Sequence, residues 1–263
     1  MFDYSNVIVW KTRLATLIFI LISPFFFNAS VNLLRHGLSA FFLLNTATFF
    51  LRNQWSRVIL FGLLAVLFHR TALLYLPLVT VLNVINTERR RRVFYIVLLG
   101  LAAAYSVGLS EEIVKVLSKL TGIDVHGMFA NYAAHVTYYR RGVRWDFLLF
   151  SLGWFIGGIV ANRSFISMLH RPVYEKMVEL YGLFLVPFLL FGWGNYSDRL
   201  LLVPWQLIPV IVSGALVFGR IRIRSHGSVY LLGLLGATIV FVVSVIHNEA
   251  FIRWLLERVT NSV

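Results

Sequence analysis

The sequence has no cysteine, little charge and very few acidic residues. Because none of the 263 residues is cysteine, disulfides, thiolate metal sites and thiol nucleophiles are excluded. Charged residues make up 13% of the chain, whereas a soluble domain carries roughly 25%. Only 11 residues are Asp or Glu, and we expect each to lie in a loop or within about one turn of a helix end. This pattern argues against an ion-driven transporter, which holds a carboxylate near the middle of the membrane.

The sequence also lacks a recognisable metal-binding pattern. It has no Asp-x-Asp pair, which metal-dependent nucleotide-sugar enzymes carry on a soluble domain, and no His-x-x-x-His spacing. Since divalent cations need clustered carboxylate or imidazole ligands, we predict neither a metal nor a cofactor.

Long apolar runs dominate what is present. Hydrophobic residues account for 59% of the chain, and runs of about 14 to 20 apolar residues recur along it. We predict an all-α fold, a polytopic transmembrane bundle of about nine helices, forming one integral membrane domain over residues 1–263. The predicted crossings are Leu14–Phe27, Gly37–Leu51, Val58–Phe68, Thr71–Ile85, Val93–Leu109, Phe147–Ala161, Met177–Trp193, Leu200–Gly219 and Ser228–Ile246.

The net charge of +13 has a topological explanation, so we expect no nucleic-acid partner. If the chain turns at His69–Arg70, more than half of the 24 Lys and Arg residues lie in short loops on one side, as the positive-inside rule requires. If residues 57–86 crossed once instead, the cluster Arg89–Arg92 would lie on the other side. We therefore place a turn at His69–Arg70.

The other side, which becomes the outer one, contains the longest polar segment, residues 110–146. Ser110 and the acidic pair after it look like an N-cap and an acidic first turn, and Gly122 ends the run. We predict short amphipathic interfacial helices in this segment and in the C-terminal tail, residues 248–263.

Arginines on the outer side need a reason to be there, because membrane topology disfavours them. Guanidinium groups bind phosphate oxygens in a bidentate fork, and histidine can take a proton from a hydroxyl near neutral pH. Together they suit displacement of a diphosphate leaving group by a hydroxyl. The outer residues that we predict to line a site for an anionic, lipid-linked substrate are Arg35, His36, His69, Arg70, Arg140, Arg141, Arg144, Asp198 and Arg199.

Most of these residues also have a structural explanation. His69 can cap or kink a helix break, and Arg70 can extend its guanidinium to the membrane surface. The arginines between residues 140 and 144 can contact lipid headgroups, and Asp198–Arg199 can form a local ion pair. Arg35 fits a structural role less well, because a cation at the start of a helix opposes the helix dipole.

Two stretches carry a resemblance to a known family. NLLRHGLSA, from Asn32, and FHRTA, from Phe68, are similar to a helix start and a helix break in the EpsG/Wzy-type bacterial polysaccharide polymerases. His36 stands where that family usually has glutamine. Asp198-Arg199, before a proline-containing apolar run, is similar to the family's late arginine segment. The chain resembles the C-terminal two-thirds of the family pattern, without its further N-terminal helices.

The resemblance implies a multi-pass protein of the bacterial cytoplasmic membrane that catalyses a metal-independent glycosyl transfer at the outer face. A growing glycan on undecaprenyl diphosphate would be the donor, and a lipid-linked repeat unit the acceptor. Arg35, Arg70 and Arg199 would hold the diphosphate, and His69 would be the base. The expected partners are undecaprenyl-diphosphate-linked oligosaccharides and membrane lipids, with chain-length regulator and flippase proteins as further ones.

Two other functions are compatible with the same residues. A membrane acyltransferase that modifies glycans would use His69 as a base against a thioester or an acyl lipid. A flippase, or a non-enzymatic subunit that handles lipid-linked oligosaccharides, would use the outer arginines only to guide anionic lipids across the membrane.

Overall fold

The described part of the chain is a bundle of helices. The computed structural model describes residues 17–18, 34–130, 142–164, 166–194 and 197–219. No β-strand occurs in these ranges, where Ile166 and Gly219 form an isolated bridge, so the predicted all-α class is confirmed. From residue 34 onward, the helices are α1 Leu34–Leu51, α2 Trp55–Phe68, α3 Ala72–Val84, α4 Glu88–Ser106, α5 Leu109–Thr121, α6 Val125–Ala130, α7 Trp145–Ser164, α8 Arg171–Phe191, α9 Ser197–Trp205 and α10 Ile208–Phe218.

The helices follow the apolar runs closely. Each predicted crossing between residues 37 and 219 corresponds to one helix, except the run from Leu200, which is divided into α9 and α10. Pro209, at the start of α10, has no N–H to donate into a continuous helix, which explains the break. Of the first predicted crossing only residues 17 and 18 are described, and the last one and the tail 248–263 lie outside the described residues.

Two of the described helical segments are long and apolar enough to cross a membrane, namely α7 and the stretch Ser197–Ala215, which combines α9 with most of α10. A third is added if α4 and α5, whose axes differ by 98°, count as one span. The helices α2 and α3 are apolar but have only 14 and 13 residues. Large apolar side chains on the outside of the bundle form the surface expected of helices that contact lipid; examples are Ile59, Leu63, Ile96, Leu149 and Val160.

The predicted turn at His69–Arg70 is confirmed. α2 ends at Phe68 and α3 begins at Ala72. A Cβ atom on Gly62 would lie 3.4 Å from the Cδ2 atom of Leu76. In one continuous helix these positions would be roughly 21 Å apart, at 1.5 Å per residue. α2 and α3 therefore lie side by side as a hairpin, and α1 packs extensively against α2.

Contacts between distant helices define one end of the bundle, which we call the His69 end. Tyr75, near the start of α3, donates from its hydroxyl to the carbonyl of Leu200 in α9 at 2.6 Å. Tyr105, near the end of α4, donates to the carbonyl of Gly192 after α8 at 3.2 Å. The starts of α3 and α9 and the ends of α2, α4 and α8 therefore meet at this end.

The opposite end, which we call the Arg91 end, collects the remaining helix termini. Lys176, in α8, donates to the carbonyl of Ile85 after α3 at 2.7 Å. The backbone N–H of Ser167, between α7 and α8, donates to the carbonyl of Phe218 at 3.1 Å. The loops that the charge bias assigned to one side, as far as they are described, lie at the Arg91 end.

The helix predicted after residue 110 is present as α5, but its predicted N-cap is wrong. α5 begins at Leu109, after Gly108, whose φ of 77° is left-handed. The sharp bend between α4 and α5 needs this conformation, which glycine adopts without steric cost, so the bend determines where α5 begins. Ser110 lies in the first turn, and its buried Oγ has no hydrogen-bond partner among the described residues. The predicted stop at Gly122, with φ of 71°, is correct.

One carboxylate contradicts the prediction that every acidic residue lies near a helix end. α8 begins at Arg171 rather than at Met177, so Glu179 lies about two turns inside the helix, where it is completely buried. Arg91 Nε contacts its Oε1 at 2.7 Å, and Lys176 Nζ contacts its Oε2 at 2.7 Å. Because these two cations pair with Glu179, the polar residues before Met177 can form the first turns of α8. Hydropathy alone does not indicate this extension.

Candidate active site at the His69 end

The two histidines that the sequence places in separate motifs are neighbours in the structure. His36 lies in the first turn of α1 and is buried, and His69 follows the last residue of α2 in an extended conformation. Their imidazole rings stack with centroids 4.4 Å apart and planes within 5° of parallel. Ser39 holds the two helices together, because its hydroxyl donates to the carbonyl of Ala65 at 2.8 Å.

Thr71 connects the two imidazole rings. Its Oγ1 lies 2.7 Å from His69 Nδ1 and 3.4 Å from His36 Nε2. Its backbone N–H also donates to His69 Nδ1, at 3.3 Å. The other ring nitrogen of His36, Nδ1, is buried and has no hydrogen-bond partner among the described residues. Thr71 is thus a site residue that the sequence patterns did not predict.

Arginines are adjacent to this histidine pair in the chain or act on it electrostatically. Arg35 and Arg70 are adjacent to the histidines in the chain, and both are exposed. Burial lowers the pKa of His69, and the charges of Arg199 and then Arg70 lower it further. His69 is therefore neutral at pH 7. The charge of Arg199 also acts on His36, so α9 brings this arginine to both histidines.

The start of α9 is held in place by α3. The bond from the Tyr75 hydroxyl to the Leu200 carbonyl is buried and joins two helices that are distant in the chain. Ser197, the first residue of α9, is also buried. As a result Asp198 and Arg199 lie in the first turn of α9, at the His69 end. Asp198 interacts electrostatically with Arg199 and with Arg144.

Arg144 is at the same end but is engaged by the protein itself. Its Nε and one terminal nitrogen donate to the two carboxylate oxygens of Asp146, at 3.0 and 2.6 Å. Its guanidinium carbon lies 3.8 Å from the centre of the Phe147 ring. A substrate would therefore compete with Asp146 for this arginine. Arg140 and Arg141 lie outside the described residues.

The arrangement combines guanidinium groups with a neutral imidazole at one end of an apolar bundle. Guanidinium donors match the oxygens of phosphate and diphosphate groups, and a neutral imidazole can donate or accept one hydrogen bond. Within the described residues, no group of three or more His, Asp or Glu side chains is placed to hold a metal ion. Metal independence stays a prediction.

Sequence reasoning could identify the charged site residues but not those that position them. Thr71 follows His69 by two positions, so the FHRTA stretch contained a signal for a local side-chain contact. Nothing in the sequence pairs Tyr75 with Leu200, because that contact depends on how α3 and α9 pack.

Comparison with known proteins assigns the chain to a family. No curated protein and no solved structure matched the sequence. A model of the EpsG family matches residues 4–256, which is almost the whole chain. This match implies a membrane protein with a function like that of a polysaccharide polymerase, which at a coarse level is a glycosyltransferase. The chain belongs to the EpsG family.

Proposed function

We propose that this protein is a polysaccharide polymerase of the bacterial cytoplasmic membrane. It transfers a growing glycan from undecaprenyl diphosphate to a lipid-linked repeat unit at the outer face. The observation that carries the proposal is the convergence of the stacked pair His36–His69 with Arg70 and Arg199 at one end of the bundle. The family match supports the polymerase class.

The reaction that suits this site is displacement at an anomeric carbon. The acceptor hydroxyl oxygen bonds to that carbon while the bond from the carbon to the diphosphate oxygen breaks. The electron pair of the broken bond leaves with the diphosphate, and the acceptor proton ends on the released lipid diphosphate. Arg35, Arg70 and Arg199 hold the diphosphate and neutralise the charge that develops on the departing oxygen.

The surroundings of the site suit a lipid-linked substrate. Large apolar side chains are exposed on both sides of His69 and Arg70, among them Leu67, which is 78% exposed, and Leu73, which is 57% exposed. Apolar surface beside a cationic site matches a molecule with a hydrocarbon chain and a diphosphate head. A polyprenyl diphosphate can therefore approach along α2 and α3.

Profiling the lipid-linked oligosaccharides of a deletion strain tests the proposal. We expect the strain to accumulate single repeat units on the outer face of the membrane and to make no long polymer, and the intact gene to restore the polymer. Repeat units retained on the inner face would indicate a flippase instead. Full-length polymer lacking acyl groups would indicate an acyltransferase. Either of these results would overturn the polymerase assignment.

A further inference from the structure

The geometry points to a specific role for His69: we propose that it acts as a neutral N–H donor to the departing diphosphate and not as a base, and that Thr71 positions it. The inference rests on the proposed function only for the identity of the anion. The tautomer of His69 follows from hydrogen-bond geometry alone.

The backbone of Thr71 determines which ring nitrogen of His69 carries the proton. A backbone N–H can only donate a hydrogen bond, and that of Thr71 points to His69 Nδ1 at 3.3 Å. His69 Nδ1 must therefore be the acceptor nitrogen. In a neutral imidazole the other nitrogen then holds the proton, so His69 carries its N–H at Nε2.

The Thr71 hydroxyl also determines which ring nitrogen of His36 carries the proton. Because His69 Nδ1 accepts, the hydroxyl 2.7 Å away must donate its single proton to it. The oxygen of that hydroxyl then accepts from His36 Nε2 at 3.4 Å. His36 is thereby an Nε2–H donor whose Nδ1 is an acceptor. The stacking of the two rings and the Thr71 hydroxyl that they share favour the neutral form of both imidazoles and fix their orientation.

This arrangement prevents His69 from acting as a base. Its Nε2 already holds a proton, and protonation of Nδ1 would break both hydrogen bonds from Thr71. His69 is only partly buried, and its Nε2–H has no hydrogen-bond acceptor among the described residues. A neutral donor needs no change of protonation during the reaction, since the acceptor proton ends on the released diphosphate.

Two substitutions of His69 separate a donor from a base. Glutamine places an amide N–H near the Nε2 position but has no basic nitrogen, and leucine has neither. We expect His69→Gln to retain activity within about tenfold of wild type, and His69→Leu to lose about 10²-fold or more. The assay uses purified variants in liposomes with the repeat units extracted from the deletion strain. If His69→Gln is as inactive as His69→Leu while wild type is active, the donor role is wrong. If wild type itself is inactive on these units, the proposed function fails instead.

Two substitutions of Thr71 test whether it positions His69. The property to compare is the pKa of His69, which a purely structural role of Thr71 would leave unchanged. Thr71→Ser keeps the hydroxyl, and the isosteric Thr71→Val removes it. A hydroxyl that donates to Nδ1 favours the neutral imidazole, so its loss raises the pKa of His69. We expect an NMR titration of the His69 ring to give a higher pKa in Thr71→Val than in wild type and an unchanged pKa in Thr71→Ser. Equal pKa values for both variants would contradict the positioning role.

Nitrogen-15 NMR of histidine-labelled protein in lipid nanodiscs tests the tautomer without any activity. His69→Gln assigns the His69 signals. We expect a pyridine-type signal for Nδ1 and a pyrrole-type signal for Nε2. The reverse assignment would overturn the inference whatever the substrate is.

Discussion

Glu179 shows at the scale of single residues how a charge is accommodated inside this apolar bundle. Removing a carboxylate from water costs several kcal/mol unless opposite charges and hydrogen bonds compensate it. Both oxygens of Glu179 have a cationic partner, Arg91 and Lys176. Arg91 also contacts Glu175 at 2.6 Å. The cluster therefore joins α4 to α8 at the Arg91 end, and removing either cation leaves the buried carboxylate with a single cationic partner.

We expect Arg91→Ala to lower the free energy of unfolding by about 3–5 kcal/mol, because Glu179 would lose one of its two cationic partners while buried. The control is Arg92→Ala, whose partner Glu88 is exposed and whose loss costs about 1 kcal/mol or less. Thermal unfolding midpoints in detergent compare the two variants. Equal midpoints would show that the cluster does not stabilise the bundle.

The charged residues of the site could be predicted from the sequence, but the hydrogen bond that positions His69 could not. Positive-inside bias placed the turn at His69–Arg70, and that turn brought His69 to the same end as Arg35–His36. The bond from Thr71 to His69 depends on the extended backbone at His69. Hydropathy and charge contain no information on that dihedral angle, so Thr71 was missed.

At the scale of helices, two adjacent glycines of α7 have different surroundings. A Cβ atom on Gly158 would lie 2.9 Å from Cγ2 of Val178 in α8. On Gly157 it would meet nothing within 4 Å. Gly158 therefore permits the close approach of α7 and α8, whereas Gly157 faces away from the described bundle.

We expect Gly158→Ala to destabilise the protein by about 1–3 kcal/mol, because the new methyl group overpacks the contact with Val178. Gly157→Ala should cause no loss, since alanine favours helix over glycine. Unfolding midpoints of the two variants in the same detergent give the comparison. A loss of similar size in Gly157→Ala would mean that α7 and α8 pack through another face.

Most helices could be predicted because apolar runs and charged breaks coincide with their bounds. The exceptions have local causes. α5 begins at Leu109 because Gly108 makes the bend from α4, and α8 begins at Arg171 because buried ion pairs support its polar first turns. Sequence patterns report the average environment of a segment, so they miss contacts that single residues make with distant helices.

At the scale of the whole molecule, the absence of cysteine makes the arrangement of the two ends directly testable. Single cysteines introduced at exposed positions need no other change to the protein. At the His69 end these positions are Val107 and Lys119, and at the Arg91 end they are Gln54 and Met168. We expect a membrane-impermeant maleimide to label the first pair in intact cells and the second pair only after permeabilisation. Labelling of all four from the same side would contradict a bundle that crosses the membrane.

The central claim is that the arginines at the His69 end bind the diphosphate of a lipid-linked substrate. The most direct test compares two variants that each remove two positive charges, Arg70→Gln/Arg199→Gln at the His69 end and Arg52→Gln/Arg57→Gln at the opposite end. The measurement is polymer length together with the lipid-linked repeat units that accumulate in cells, with membrane insertion checked for both. We expect the first variant to make no polymer and to accumulate single units, and the second to resemble wild type. Normal polymer from an inserted Arg70→Gln/Arg199→Gln protein would contradict the claim.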